Sequence, residues 1–461
     1  PLRTPHTRAA IHTPCVNSTK HRNKIMYTAS FVSLLASASA FVLPEGPWEH
    51  HWAVIVAGYP RRVRTAMSTP AQRRRRRSNG YGNYRHQADA CHAYQIAKKK
   101  GIPEKQIILF MYDDIAHSTE NPIPGKVFNK PDGTDVYHGC KASYTGKDVS
   151  AAKFLAVLTG DKKTAKGPVL RSSKHDNVFI YYADHGAPGL IAMPEDQEPV
   201  YAKDLNAALV EMKEKDMYNR LVFYLEACES GSMFKGILAE DTKVYATTAA
   251  NEEESSFGTY CDEDAVVNGT NLHTCLGDLY SVSWLEDADS AFPRESLQRQ
   301  MAKVVKETKE SHVQIFGDTS FAGDFAGAFE GDAKDKHGYL RGDAKAQVRT
   351  GVDARAATLS YYRSKAKAGL PGAREAYLAE LAFRTETSVR FDAIAHAHGV
   401  VVDVDVVYRG RGFDAISHPS VVTDDVASFT DETWDCYKAA VDAVRLSCPR
   451  GINDEHVMDH L

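Results

Sequence analysis

The sequence predicts an α/β protein with a mainly parallel sheet flanked by helices. Three observations carry that expectation. First, five short runs are apolar and rich in β-branched and aromatic residues: 52–57 (WAVIVA), 106–112 (QIILFMY), 178–183 (VFIYYA), 221–226 (LVFYLE) and 243–249 (KVYATTA). They are nearly continuous in apolar character, as strands covered on both faces should be. Second, helical patterns lie between them at 87–100, 149–159 and 202–216, and alternating strand and helix indicates a parallel sheet. Third, the 461 residues are 43% hydrophobic and 25% charged, with 31 Gly and 19 Pro. That composition excludes collagen, a coiled coil and a mostly disordered chain. No apolar run approaches ~20 residues, so no membrane-spanning helix is expected.

The elements follow in chain order. Residues 27–40 (YTASFVSLLASASA) come after the first methionine, Met26. They read as a secretory signal with a small-residue cleavage zone, over 26–40. Residues 1–25 then read as upstream translation. The first strand of the α/β unit, 52–57, is followed directly by residues 59–77, which hold eight arginines and no acid. This segment reads as an insert or artefact in a strand–helix loop. The formal net charge is −4, yet residues 1–25, with five basic residues, and 59–77 both lack any acid, so the rest of the chain is acidic. Nucleic-acid binding by the whole protein is therefore not expected. The strand–helix alternation fades after about residue 308. Residues 318–370 are rich in Ala, Gly, Asp and Lys and read as a linker. Helical patterning returns over 371–461.

There are eight cysteines: Cys15, Cys91, Cys140, Cys228, Cys261, Cys275, Cys436 and Cys448. Cys261 and Cys275 bracket a polar stretch and are expected to staple one loop. Cys436 and Cys448 lie twelve apart on a helical pattern, about 18 Å of helix, too far for one disulfide. Asn17 and Asn268 head glycosylation sequons, and only Asn268 lies beyond the signal.

Two strand ends carry the chemistry, since open α/β sheets place reactive residues there. One ends in Asp184-His185-Gly186, the next in Glu226-Ala227-Cys228-Glu229-Ser230-Gly231. A thiol is a nucleophile only as the thiolate, and a neighbouring imidazole acts as its base or ion-pair partner. Cys228 is therefore the candidate nucleophile and His185 the base. The backbone N–H groups of Gly186 and Cys228 can form an oxyanion hole. The polar residues flanking Cys228 argue against an inert core thiol. No metal-ligand spacing and no cofactor motif is read.

Longer stretches then acquire meaning: 80–96 (GYGNYRHQADACHAYQI), 111–114 (MYDD), 182–186 (YADHG), 223–233 (FYLEACESGSM), 244–251 (VYATTAAN) and 275–284 (CLGDLYSVSW). Through them the chain closely resembles the legumain family, the asparaginyl endopeptidases or vacuolar processing enzymes of the caspase-like cysteine protease clan. The resemblance spans roughly residues 48–317 and is weaker in the C-terminal region. It implies a caspase-like protease domain over 48–317, an activation linker over 318–370, and a helical prodomain over 371–461 that is truncated here. It implies that Asn83 orients His185, and that Arg85, His86, Glu226 and Asp278 form the specificity pocket. An asparagine side chain offers one acceptor and one NH₂ donor. Arg85 would donate to its oxygen, while Glu226 and Asp278 would accept from its NH₂. Asp184 matches a position that forms a succinimide in the family.

The expected function is a cysteine endopeptidase cutting after Asn, and after Asp in acid, made as a zymogen. Two alternatives remain: a peptide asparaginyl ligase using the same thioester, or a binding homologue disabled by the 59–77 insert. Expected partners are protein and peptide substrates and the chain's own prodomain as inhibitor. Expected localisation is the secretory pathway and an acidic, lysosome- or vacuole-like compartment, or secretion. No asparagine lies between Asn271 and Asn453. Self-activation is therefore expected at Asp332, Asp335, Asp343 or Asp353.

Overall fold

The computed structural model describes residues 51–58, 80–194, 197–290, 294–331, 349–397, 437–439 and 441. The expected signal at 26–40, the 59–77 segment, Asp332, Asp335, Asp343, Cys436 and Cys448 lie outside the described residues.

The central sheet contains all five expected strands: β1 (His51–Ala57), β2 (Ile107–Met111), β3 (Asn177–Ala183), β4 (Arg220–Glu226) and β5 (Val244–Thr248). Three further strands matter for the site: β6 (Phe257–Thr259), β7 (Gly277–Asp278) and β8 (Gln314–Gly317). The order across the large sheet is β8-β5-β4-β3-β1-β2. All neighbours are parallel except β8, which runs antiparallel along β5. The sequence reading missed β8, a four-residue edge strand whose Ile315 is exposed. A short edge strand buries too little for a strong apolar signal.

Helices cover both faces. Ala53, Ile55 and Ala57 of β1 pack under α1 (Tyr84–Lys99), α4 (Leu279–Ser290) and α5 (Leu297–Glu307). Val54 and Val56 point the other way, towards α2 (Ala151–Leu158) and α3 (Ala202–Glu214). This period of two, with both faces apolar, is what made the strands read as continuous apolar runs. Helix starts are locally encoded. Ser150 accepts from the Lys153 N–H at 3.4 Å, and Ser296 from the Arg299 N–H at 3.2 Å.

The stretch read as a linker is partly structured. Residues Gly351–Asp353 form β9, paired antiparallel with β6, which also pairs with β7. Ala357–Lys367 forms α6. Beyond it, where helix was expected, Ala373–Ala397 forms α7. Tyr361 Oη donates to Glu120 Oε2 at 2.7 Å, and Ser360 Oγ to Asp262 at 3.2 Å, so α6 is tied to the α/β unit. A three-residue strand and a small-residue helix carry little periodic signal, which is why composition alone read as linker.

Candidate active site

β3 and β4 are parallel neighbours, with Ala183 level with Glu226. Their C-terminal ends therefore deliver Asp184-His185-Gly186 and Cys228 side by side. The Asp184 N–H donates to Glu226 O at 3.1 Å across this end. Two glycines make the approach possible. A Cβ on Gly186 would stand 2.1 Å from Cys228 O. One on Gly58, just past β1, would stand 1.5 Å from Asp184 Oδ2. No larger residue fits at either place.

Cys228 is buried, and it is the one free cysteine among the described residues. Its Sγ accepts from the Ser256 N–H at 3.3 Å and lies 3.9 Å from Ser256 Oγ. Burial pushes the thiol well above its ordinary value, and Glu229 and Asp353 add to this. Arg355 and the Ser256 N–H pull the other way. The thiol is therefore held protonated here. Glu229 follows in the left-handed region at φ 44°, opening the turn that carries Ser230–Met233.

The start of α1 supplies the second wall. Arg85 Nε donates to Asp278 Oδ1 at 2.7 Å, and Arg85 Nη1 donates to Asn83 Oδ1 at 2.6 Å. The resemblance implied that Asn83 orients His185; the bond seen at Asn83 Oδ1 is the one from Arg85. Asn83 immediately precedes α1, and the guanidinium two residues on is the donor within its reach. His86 stands between two carboxylates, with Nδ1 3.5 Å from Asp184 Oδ1 and Nε2 3.7 Å from Asp278 Oδ2. Its ring meets that of His185 edge-on at 5.0 Å between centroids. Burial, with Arg85 and His185 close by, holds the His86 imidazole neutral.

Glu226 Oε2 accepts from the Ser281 N–H at 3.1 Å and from Ser281 Oγ at 3.0 Å. Tyr181 Oη donates onward to Ser281 Oγ at 2.7 Å. Burial first, then the charge of Asp278, raises the Glu226 carboxyl to about 8. Glu226 thus carries a proton in mild acid and presents an O–H as well as an acceptor. The sequence reading treated it as an acceptor alone. Asp278 is also raised by burial, opposed by Arg85. Its backbone N–H is held by Asp89 Oδ2 at 3.0 Å, and Asp89 Oδ1 accepts from Asn129 at 2.6 Å.

Ser256, Ser281, Asp89, Asn129 and Glu229 were not singled out from the sequence. Asp89, Glu229 and Ser281 do lie within the quoted motifs. Asn129 and Ser256 do not, and each reaches the site from a loop far away in the chain. The fold also gathers a donor set that no sequence spacing suggested. One ligand atom each from His86, Asp184 and His185 lie within 4.8 Å of one another, a set chemically able to hold a transition metal.

The expected Cys261–Cys275 disulfide is present, closing the loop that leads into Asp278. A second bridge, Cys91–Cys140, ties α1 to the loop after β2 and was not expected. Asn268 is exposed at the turn of a small hairpin, Val266–Val267 with Thr270–Asn271.

β9 crosses this site. The Ala354 N–H donates to Ser256 O at 2.9 Å. Arg355 Nη2 donates to Gly186 O at 3.0 Å and to Glu229 Oε2 at 2.5 Å. Asp353 Oδ1 accepts from the Arg355 N–H at 2.8 Å. Arg384 Nη1 of α7 donates to Arg355 O at 2.8 Å. Further along the chain, Tyr437 Oη donates to Pro188 O at 2.6 Å.

The sequence profile of the Peptidase C13 family matches residues 77–332. The chain belongs to the Peptidase C13 family. It is 49% identical over 277 residues to a legumain of Mus musculus, covering 59% of this chain and 57% of that one. It is 47% identical over 289 residues to the vacuolar-processing enzyme delta-isozyme of Arabidopsis thaliana, covering 61% and 58%. A vacuolar-processing enzyme of Vicia sativa is 38% identical over 427 residues, 89% of this chain and 80% of its own. The alignments with the mouse and Arabidopsis C13 relatives thus span under three fifths of their length. Among solved structures, a caspase-1 of Spodoptera frugiperda aligns over 62% of this chain and 92% of its own, at 10% identity and a TM-score of 0.35.

Proposed function

We propose that this C13 protein is a cysteine endopeptidase that cuts after asparagine, and after protonated aspartate, and is made as a zymogen. The observation that carries the reading is the meeting of Cys228 with Asp184-His185-Gly186 at adjacent strand ends. In this reading Cys228 attacks the scissile carbonyl and His185 takes the thiol proton and returns it to the leaving amine. The N–H groups of Gly186 and Cys228 receive the oxyanion. Arg85, His86, Glu226 and Asp278 read the side-chain amide, and Asn83 acts by positioning Arg85. An apolar side chain there would leave buried polar groups unmatched.

The segment from β9 to Arg355 is the inhibitory part of the chain, braced by α7. The buried, protonated Cys228 supports this, because a thiol is not attacking while covered and uncharged. Release belongs in an acidic compartment. Free aspartate has a pKa of ~3.9, so about half is protonated near pH 4 and ~0.1% at pH 7. Self-cleavage after Asp332, Asp335, Asp343 or Asp353 is therefore expected only in acid.

The test is an Asn-peptide panel with the acid-treated full-length chain. Cys228→Ala and His185→Ala should each lose on the order of 10⁴-fold in kcat, and the double variant little more. Substantial turnover by the Cys228→Ala protein would refute the assignment.

A further inference from the structure

Just ahead of the inhibitory segment, one arginine is held in a socket of its own. Arg349 lies just before β9, and its side chain is 3% exposed. Its Nη2 donates to Glu286 Oε2 at 2.5 Å and its Nη1 to Glu307 Oε2 at 2.9 Å. Its Nε donates to Tyr260 Oη at 3.0 Å. Tyr260 Oη in turn donates to Glu286 Oε1 at 2.8 Å, and Ser283 Oγ closes the ring 3.5 Å from Nη1. Every wall of the socket belongs to the α/β unit. Tyr260 directly follows β6, Ser283 and Glu286 share one face of α4, and Glu307 ends α5.

The path from this socket to the nucleophile is a single strand. Ser256, whose N–H bonds Cys228 Sγ, precedes β6, and β6 runs to Tyr260. The segment 349–354 lies antiparallel along it, pairing Gly351 with Thr259 and Asp353 with Phe257, and ending with Ala354 N–H on Ser256 O. Five extended residues span about 16 Å. β6 offers the same backbone groups to any peptide that replaces the segment. Once the segment leaves, the socket holds two carboxylates and a phenol with no guanidinium between them.

We propose that Tyr260, Ser283, Glu286 and Glu307 form a distal substrate subsite for arginine, filled by Arg349 in the zymogen. The preferred substrate then carries arginine about five residues upstream of the residue that is cut. Lysine is the weaker ligand, because the fork of donors met by two carboxylates, a phenol and a serine suits a planar guanidinium. This inference rests on the endopeptidase reading for its register on the substrate.

The experiment has two arms. In the first, Asn peptides carry a single arginine three to seven residues upstream and are assayed with the acid-treated full-length chain. A fall in KM of about tenfold, peaking four to six residues upstream and lost in Glu286→Gln/Glu307→Gln, supports the subsite. A flat scan, a peak elsewhere, or one that survives the double variant overturns it. Failure to cut any Asn peptide, with or without arginine, strikes the endopeptidase reading instead. The second arm needs no turnover. Full-length Arg349→Ala leaves the socket empty, and acetyl-arginine amide at millimolar concentration should raise its Tm by a few degrees. The same compound should do nothing to the parent chain or to Arg349→Ala/Glu286→Gln/Glu307→Gln. No rise in Arg349→Ala, or an equal rise in all three, overturns the socket as an arginine site.

Discussion

At Cys228 two effects compete. Burial and the carboxylates of Glu229 and Asp353 favour the thiol, while the Arg355 guanidinium favours the thiolate. Arg355 is also the residue lying over Gly186 O. Removing it should therefore lower the thiolate fraction and uncover the sulfur at once. Alkylation needs access as well as charge. Arg355→Ala in the full-length chain is expected to speed iodoacetamide labelling of Cys228 at pH 7 by about tenfold, read by mass spectrometry. Equal or slower labelling would mean that charge, not coverage, limits the thiol. The same scale shows what motif reading leaves open. Asn83 and Asp278 both bond Arg85, and Asp278 also stands near His86 and Glu226. The bond Asn83 makes was not readable, because it depends on where the first turn of α1 points its side chains.

Among elements, α1 carries the most. It bears Arg85 and His86 in its first turn, Asp89 one turn on, and Cys91 bonded to Cys140. The bridge closes a separation of 49 residues that includes β2. Chain entropy alone assigns such a loop about 4 kcal/mol, a model-dependent figure. Cys140→Ser should cost about 2–4 kcal/mol in urea unfolding under non-reducing conditions, since Cys91 is tolerated as a buried thiol. A cost below ~0.5 kcal/mol would mean that packing already orders the loop. The five central strands were legible because both faces are apolar. β8 and β9 were not, because each is short and gains its place from a partner strand rather than from its own pattern.

The whole molecule places three carboxyls close together: Asp89, Glu226 and Asp278 are all buried and all raised. For Glu226 the folded value is about 8 against 4.5 for the free group. A raised carboxyl binds its proton more tightly when folded. Its contribution to stability is therefore fully present below pH 4.5 and lost as pH rises through 8. The protein is expected to melt several degrees higher at pH 5 than at pH 8, and Glu226→Gln should shrink that difference. An unchanged pH profile in Glu226→Gln would show that the other two carboxyls carry it.

The sequence by itself determined the α/β class, the two strand ends that carry Cys228 and His185, and the Cys261–Cys275 pair. Those features are local: apolar runs, strand-end motifs and a short loop between two cysteines. Only the tertiary structure decided that Cys91 meets Cys140, that Ser256 touches the sulfur, and that Glu226 keeps its proton. It alone showed that Arg355 and Arg349, in a stretch that read as linker, reach back to Gly186 and to Glu286 with Glu307. Each of these depends on the distance between residues far apart in the chain and on the water excluded between them. A buried charge is shaped by what surrounds it in space, and a linear pattern holds no record of that.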